Sequence, residues 1–195
     1  MDMVKKLREK TAAGLMDCKK ALEEAGGDME KAVDILRQKG LAVAAKRAGK
    51  ATKEGVVAAY IHANKKLGAM VEVNCETDFV ARTEEFQKFA YDVAMHVAAT
   101  NPICVSREEM PEEVLKREKE IYIAQAKESG KPENVIEKIV QGKLEKFFKE
   151  SVLLEQPFVK NPDLTIQDLL NELMTKTGER IQIRRFVRYQ VGEEE

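Results

Sequence analysis

Residues 67–86 (LGAMVEVNCETDFVARTEEF) constrain the fold more than any other stretch of the chain. Val71 and Val73 alternate with polar neighbours after a mostly apolar start, which is typical of a strand with one buried face. A short polar corner at residues 76–78 ends this strand, and Thr83 then opens a second element. The segment therefore predicts a strand that turns sharply into a helix.

An apolar pair, Phe79 and Val80, lies in this corner directly behind Asp78. The residues alone leave two interpretations open. In the first, Phe79 packs in the core and Asp78 caps a helix, because Asp is an ordinary N-cap residue. In the second, the chain holds Phe79 outward as a wedge for a partner.

The helix after the corner, predicted over residues 83–100, has the most regular apolar face in the chain. Its apolar residues recur at spacings of three and four, which predicts a wide buried face against one side of a sheet. These residues are Phe86, Phe89, Ala90, Val93, Ala94 and Val97. His96 falls off this stripe, so we expect it to be exposed.

Three antiparallel strands are predicted for that sheet. Residues 55–64 predict a strand with Val57, Ala59 and Ile61 on one side. A turn signal at residues 65–68 joins it to the strand before the corner as a hairpin. Residues 181–191, rich in strand formers, predict the third strand. Arg184 and Arg185 interrupt its alternation, so one of them must face inward or lie in a bulge.

Residues 1–40 predict a small module of three short helices. Asp17 and Asp28 suit the N-caps of the second and third helices. Glycines end these helices, at residues 26–27 and at Gly40.

Two apolar residues, Leu15 and Met16, lie in the loop before the second helix, where polar residues are more usual. They either fill the small core of the module or form a docking loop, since Met adapts well to partner surfaces.

Residues 41–54 (LAVAAKRAGKATKE) predict a linker that is helical at its start. Its basic side chains either contact phosphates or keep a tether solvated. The tether is favoured, because no aromatic residue is interleaved to stack a base.

Residues 110–155 predict two long helices joined by a turn at residues 130–132, and Pro111 suits the first helical position. Two long helices with a tight connection form an antiparallel hairpin, and their high charge favours an arm that projects into solvent. After a loop at residues 157–161, Thr165 and Asp168 form a capping-box pattern that opens a last helix.

The fold class is therefore predicted as α+β. A helical module (1–40) and a linker (41–54) precede a core domain (55–195). The core domain combines an antiparallel three-stranded sheet, packed with helices, and a projecting antiparallel helical hairpin at about residues 110–155.

Composition and motifs favour a binding protein over an enzyme. The formal net charge is -1, so no overall charge attracts nucleic acid or an anionic membrane. The three cysteines form no CxxC pair, which argues against a zinc ribbon and suits a reducing cytosol. No phosphate-binding loop, nucleophile elbow or HExxH motif occurs. We expect no catalytic residue, no metal and no cofactor.

No apolar run is long enough to span a membrane, and the N-terminus lacks the apolar stretch of a signal peptide. A cytoplasmic location is expected.

Three segments of the chain resemble the bacterial elongation factor Ts family. They are residues 11–40, residues 54–86 and residues 183–193, in the family's order. The most specific piece is VNCETDFVAR at residues 73–82.

The resemblance implies a guanine-nucleotide exchange factor for elongation factor Tu, with no catalytic residues of its own. Such a factor binds Tu carrying GDP and promotes GDP release, so that GTP can bind during translation elongation. It also implies that the N-terminal module is UBA-like and docks on the GTPase domain of Tu through Leu15 and Met16. The family's motif implicated in dislodging magnesium from Tu falls on Thr77, Asp78, Phe79 and Val80.

Longer members of this family carry two related core lobes, whereas this chain has room for one. It resembles the short form, which implies a homodimer that supplies the second lobe and binds two Tu molecules. Cys104 is the last cysteine, so a covalent link at the final strand is not expected.

The alternative function is a ribosome-associated or RNA-associated binding protein without exchange activity. Its surfaces would be the basic linker and the charged hairpin. The near-neutral charge and the absence of an aromatic and basic platform argue against it.

Overall fold

A computed structural model describes residues 2–11, 13–128 and 132–193, which form an α+β fold. Eight α-helices lie in these ranges: α1 (Asp2–Thr11), α2 (Leu15–Glu24), α3 (Met29–Arg47), α4 (Asp78–Ala81), α5 (Glu84–Thr100), α6 (Glu112–Glu128), α7 (Glu133–Ser151) and α8 (Ile166–Thr177). The strands are β1 (Glu54–Ile61), β2 (Leu67–Cys75), β3 (Pro157–Phe158), β4 (Asn161–Thr165) and β5 (Gln182–Gln190). No helix in the described ranges is long and apolar enough to cross a membrane.

The predicted three-stranded antiparallel sheet is confirmed, with β2 between β1 and β5. Val71 on β2 lies opposite Ala58 on β1 and Phe186 on β5, so these three residues share one face. Helix α5 packs on this inner face, and all six residues of its predicted apolar stripe are buried there. The alternation of β2 and the helical period of α5 therefore define one shared core.

The paired arginines of β5 lie at a β-bulge. Ile183 pairs with Val73 and Arg185 pairs with Glu72, which leaves Arg184 as the extra residue between them. Both arginines are exposed, and Arg185 Nε donates to Glu72 Oε2 at 2.7 Å. The predicted interruption of alternation is thus resolved by a bulge.

His96 is fully buried, so its predicted exposure is wrong. The ring lies on the side of α5 covered by the β3–β4 ribbon, 6.0 Å from the Phe158 ring centre. Its Nδ1 accepts from the Val159 backbone N–H at 3.3 Å, and its Nε2 lies 3.0 Å from Gln156 Oε1. The predicted loop at residues 157–161 is instead the first part of this ribbon: it contains β3, the turn and the first residue of β4.

Helices α1 to α3 share a small core that includes the fully buried Leu7, Cys18 and Ala32. The Asp28 N-cap is confirmed, since its Oδ1 accepts from Glu30 N at 3.0 Å and from Lys31 N at 3.1 Å. The predicted N-cap at Asp17 is wrong, because α2 begins at Leu15 and its N-cap is Gly14. Asp17 lies inside the first turn of the helix.

Gly40 does not end α3, which continues as a helix to Arg47. Gly40 is buried where α3 crosses α8, and a Cβ there would lie 3.3 Å from Asn171 Cβ. The glycine therefore serves close helix packing rather than helix termination.

Helices α6 and α7 contact each other along two apolar clusters. Val114 and Leu115 near the start of α6 pack with Phe147 and Phe148 near the end of α7. Toward the other ends, Tyr122, Ile123 and Ala126 of α6 pack with Ile136, Ile139 and Val140 of α7. Of the turn predicted at residues 130–132, the first two residues lie outside the described residues. The predicted start of α8 is confirmed, with a complete capping box between Thr165 and Asp168.

A substitution at Gly40 tests the close crossing of α3 and α8. Gly40→Leu should lower the free energy of unfolding by about 1–3 kcal/mol, because the added atoms force the helices apart. The matched control is Gly142, inside α7, where an added Cβ would meet no atom of another described segment within 4 Å. Gly142→Ala should raise the free energy of unfolding by about 0.5–1 kcal/mol. Urea denaturation measures both, and a loss at neither or at both sites would contradict the assignment.

The pH dependence of stability tests the environment of His96. Burial lowers the pKa of His96, and the donated Val159 N–H requires an unprotonated Nδ1. Below a pH of about 6.5, the unfolded chain therefore binds a proton at His96 that the folded chain does not bind. The free energy of unfolding should fall as the pH drops from about 6.5, and His96→Gln should flatten this slope. Equal slopes in the two proteins, measured by urea denaturation between neutral and acidic pH, would contradict it.

Candidate functional site

The candidate site is the corner between β2 and α5, which contains the single helical turn α4. Thr77 caps α4, with Oγ1 accepting from Val80 N at 3.5 Å. Thr83 caps α5, with Oγ1 accepting from Phe86 N at 3.3 Å. Two capped helix starts in close succession bend the chain sharply and fix its backbone at both ends of α4.

Phe79 is presented to solvent by this turn, with 80% of its surface exposed. Ala81, on the same turn, is buried in the main core, and Val80 packs partly against that core. The interpretation of Phe79 as a core residue is therefore wrong. A single exposed apolar residue is common on protein surfaces, and the unusual feature here is the fixed backbone beneath it.

Two carboxylates hold the corner against the loop between α8 and β5. Glu179 Oε2 accepts from the backbone N–H groups of Glu76 at 3.2 Å and of Thr77 at 3.1 Å. Its Oε1 accepts from Thr77 Oγ1 at 2.6 Å. In return, Glu76 Oε1 accepts from the backbone N–H of Arg180 at 2.6 Å. Each loop thus supplies a carboxylate that binds backbone N–H groups of the other.

The same corner is tied to the end of α3. Arg47 Nη1 lies 3.3 Å from both Glu76 carboxylate oxygens, and Arg180 Nη1 donates to the Lys50 carbonyl at 2.6 Å. These contacts join three segments that are far apart in sequence. The sequence placed Glu76 in the corner but gave no sign of its pairing with Arg47 or of the role of Glu179, because no local pattern identifies partners so far apart in the chain.

Asp78 lies in the first turn of α4, where its charge complements the helix N-terminus. It forms an ion pair with Arg82 at 2.8 Å, and both side chains remain accessible to solvent. The α4 N-cap is Thr77 rather than Asp78. Asp78 therefore has a carboxylate that a partner can reach.

The Cys75 thiol stabilises the base of the corner, where Sγ donates to the Thr77 carbonyl at 3.1 Å. Burial raises the pKa of this thiol to about 11, and the nearby Glu179 carboxylate contributes to the rise. The thiol is therefore protonated at neutral pH and acts as a hydrogen-bond donor.

The described part of the chain holds no group of three or more His, Cys, Asp or Glu residues placed to bind a metal ion.

The predicted docking pair, Leu15 and Met16, begins α2 instead of lying in a loop. Their side chains are 56% and 60% exposed, and neither belongs to the core of α1 to α3. The interpretation that they fill this core is wrong. The pair forms an apolar patch at the N-terminal end of α2.

The outer face of the sheet carries a third set of exposed apolar side chains. Met70 in the centre lies between Ala59 on β1 and Val187 on β5. The large exposed apolar residues of this face are Val57, Ile61, Met70, Val187 and Tyr189. The face is also crossed by the Glu72–Arg185 ion pair.

Comparison with known proteins agrees with the resemblance noted in the sequence. A family model described as "Elongation factor TS" matches residues 2–193. An elongation factor Ts of Desulfotalea psychrophila is 68% identical over 190 residues, covering 97% of this chain and 96% of that protein. One from Carboxydothermus hydrogenoformans is 64% identical over 191 residues, covering 98% and 88% respectively. One from Thermotoga petrophila is 58% identical over 193 residues, covering 99% and 96%. With its whole described length matched, this chain belongs to the elongation factor Ts family.

Proposed function

We propose that this chain is a guanine-nucleotide exchange factor for elongation factor Tu in translation elongation. It binds Tu carrying GDP, disturbs the magnesium and phosphate site, and promotes GDP release so that GTP can bind. The observation that carries this proposal is the exposure of Phe79 on a fixed turn, in a chain of the elongation factor Ts family. The chain acts by binding and uses no catalytic residue of its own.

Exchange by binding requires that the factor prefer one state of its partner. A factor accelerates nucleotide release only if it binds the nucleotide-free or distorted GTPase better than the nucleotide-bound form. Phosphate contacts and magnesium hold the nucleotide on the GTPase. Displacing the magnesium ligands therefore weakens the binding of the nucleotide. By reciprocity, nucleotide that binds again loosens the factor.

Phe79 is suited to supply this preference. Burying one Phe side chain contributes roughly 1.5–3 kcal/mol, and each tenfold change in affinity needs about 1.4 kcal/mol. Insertion of this one residue thus accounts for about a ten- to hundredfold weakening of nucleotide binding. In this proposal Thr77, Asp78, Phe79 and Val80 together form the contact with Tu. Thr77 and Val80 also hold the backbone of the turn, as the cap of α4 and by packing on the core.

A second contact is proposed at Leu15 and Met16, which dock the N-terminal module (1–40) on the GTPase domain of Tu. In this proposal the module is UBA-like and residues 41–54 connect it to the core domain (55–195). The first half of that connection is the end of α3, which reaches the corner through Arg47. Two contacts in one chain raise the effective concentration of the wedge at its target.

Helices α6 and α7 are proposed to form an antiparallel hairpin that projects from the core domain. Its base is fixed by Arg107, which pairs with Glu145 on α7 and with Glu155, and lies 4.4 Å from the Phe148 ring centre. A hairpin fixed at its base in this way offers a further surface to a large partner.

The proposed location is the cytoplasm, with no direct contact to nucleic acid or membrane.

The outer face of the sheet is proposed as the interface of a homodimer, which would bind two Tu molecules. Its exposed apolar residues lie on rigid, paired strands, and such faces are commonly covered in the assembled protein. The bulged Arg184 on β5 and the Glu72–Arg185 pair, which joins β2 to β5, lie beside these residues and supply polar contacts.

The exchange function is tested by following the release of a fluorescent GDP analogue from elongation factor Tu. The intact chain should accelerate release, and Phe79→Ala should lower the rate at saturation by about ten- to a hundredfold. Its melting temperature should barely change, because the side chain is 80% exposed. Tyr91→Ala, which truncates an exposed aromatic residue on α5, is the control.

The same titration separates the wedge from the docking patch. The double variant Leu15→Ser and Met16→Ser should raise the concentration needed for half-maximal release and leave the rate at saturation unchanged. Release that is unaffected by saturating wild-type protein would refute the exchange function. A large loss of stability in Phe79→Ala would contradict the proposal that the side chain serves binding and not folding.

The homodimer is tested by light scattering at micromolar concentration. We expect a particle of twice the 22.0 kDa chain mass. Met70→Glu should yield monomers, because it places a charge at the centre of the outer face. Ile121→Glu, at an exposed apolar position on α6, should leave the dimer intact. A 22.0 kDa particle from the wild-type chain would exclude the dimer.

A further inference from the structure

We propose that Glu179 is a positioning residue for nucleotide exchange, which fixes the orientation of Phe79 without contacting Tu. This inference rests on the proposed function, in which Phe79 is the wedge. The residue lies in the loop between α8 and β5, 102 positions along the chain from Thr77, which it binds.

The turn that carries Phe79 does not support itself. Helix α4 has four residues, and so short a helix is not stable without outside contacts. The Phe79 side chain contributes little packing to the fold, since most of it lies in solvent. Inside the turn, Ala81 is the residue that is buried in the core. Ala81, Val80 and the Thr83 cap hold the end of this turn, so the direction of Phe79 also depends on what holds the start of α4.

Glu179 holds that start through three hydrogen bonds. Its carboxylate binds the Glu76 N–H, the Thr77 N–H and the Thr77 hydroxyl, at 3.2, 3.1 and 2.6 Å. Hydrogen bonds to an ionised carboxylate are stronger than those between neutral groups. Thr77 is also the N-cap of α4, so fixing its backbone and hydroxyl fixes the first turn of the helix.

A hydrogen bond in the opposite direction, from the loop of Glu179 to the corner, further restricts the movement of both segments. Glu76 accepts from the Arg180 N–H at 2.6 Å, so the loop that carries Glu179 is itself held by the corner it supports. Arg47 from α3 pairs with the same Glu76 carboxylate at 3.3 Å. Loss of Glu179 would leave two backbone N–H groups of the corner without this acceptor, and the turn would sample several orientations.

A wedge that must order itself on binding loses affinity for the distorted partner. The cost appears after docking, when Phe79 is inserted. The docking patch at Leu15 and Met16 lies elsewhere on the chain, so its affinity for Tu is not changed. Glu179 is thus expected to affect the rate at saturation and not the concentration at half-saturation.

The test measures release of the fluorescent GDP analogue from Tu with Glu179→Ala, Phe79→Ala and the double variant. Glu179→Ala should lower the rate at saturation by about three- to thirtyfold, the equivalent of one or two net hydrogen bonds. In the double variant, Glu179→Ala should add no further loss, because there is no aromatic ring left to position. Glu179→Gln should recover part of the rate, since its amide oxygen still accepts hydrogen bonds.

Asp92→Asn is the matched control. It removes a carboxylate that pairs with Lys160 at 2.6 Å, outside the corner, and should retain the wild-type rate. If Glu179→Ala does not fold, Glu179→Gln replaces it in the same double-variant comparison.

The outcomes distinguish this inference from the function beneath it. A wild-type rate in Phe79→Ala overturns the wedge and the inference together. A slow Phe79→Ala with a fast Glu179→Ala overturns the inference alone. Losses that multiply in the double variant also overturn it, because Glu179 would then act independently of Phe79.

Discussion

The rest of the structure depends on the packing of α5 against the inner face of the three-stranded sheet. Val71 and Val73 of β2 and Phe86 and Val97 of α5 are all fully buried in this contact. Strand β2 and helix α5 are joined only by the corner and its single turn. The core that stabilises the fold therefore also anchors both ends of the segment that presents Phe79.

Within this anchored segment, an exposed aromatic side chain coexists with a tightly held backbone. Exposing Phe79 to water has no benefit for folding, whereas the N-caps and carboxylate contacts around it order the chain. This combination suits a preorganised binding element, because the entropy of ordering is lost during folding and not during association. The reciprocal contacts of Glu76 and Glu179 explain how four helical residues keep one orientation.

The large exposed apolar side chains that carry the proposed contacts lie in three separate regions: the corner, the start of α2 and the outer face of the sheet. A protein that acts by differential binding needs such distributed contacts, since one residue supplies only part of the coupling free energy. Arg47 links the helix of the docking module to the corner. The last helix of the proposed docking module therefore contacts the corner directly.

The sequence by itself determined the features that depend on near neighbours. The stripe of α5, the strands of the sheet and the caps at Asp28, Thr83 and Thr165 follow from residues a few positions apart. Tertiary structure decided the rest, because contacts between distant residues set burial and orientation. Helix α3 continues through Gly40, where the lack of a side chain leaves room for Asn171 of α8. His96 is buried by the ribbon that begins after Gln156. Phe79 points outward from a corner held by Glu179, a partner that no local pattern identifies.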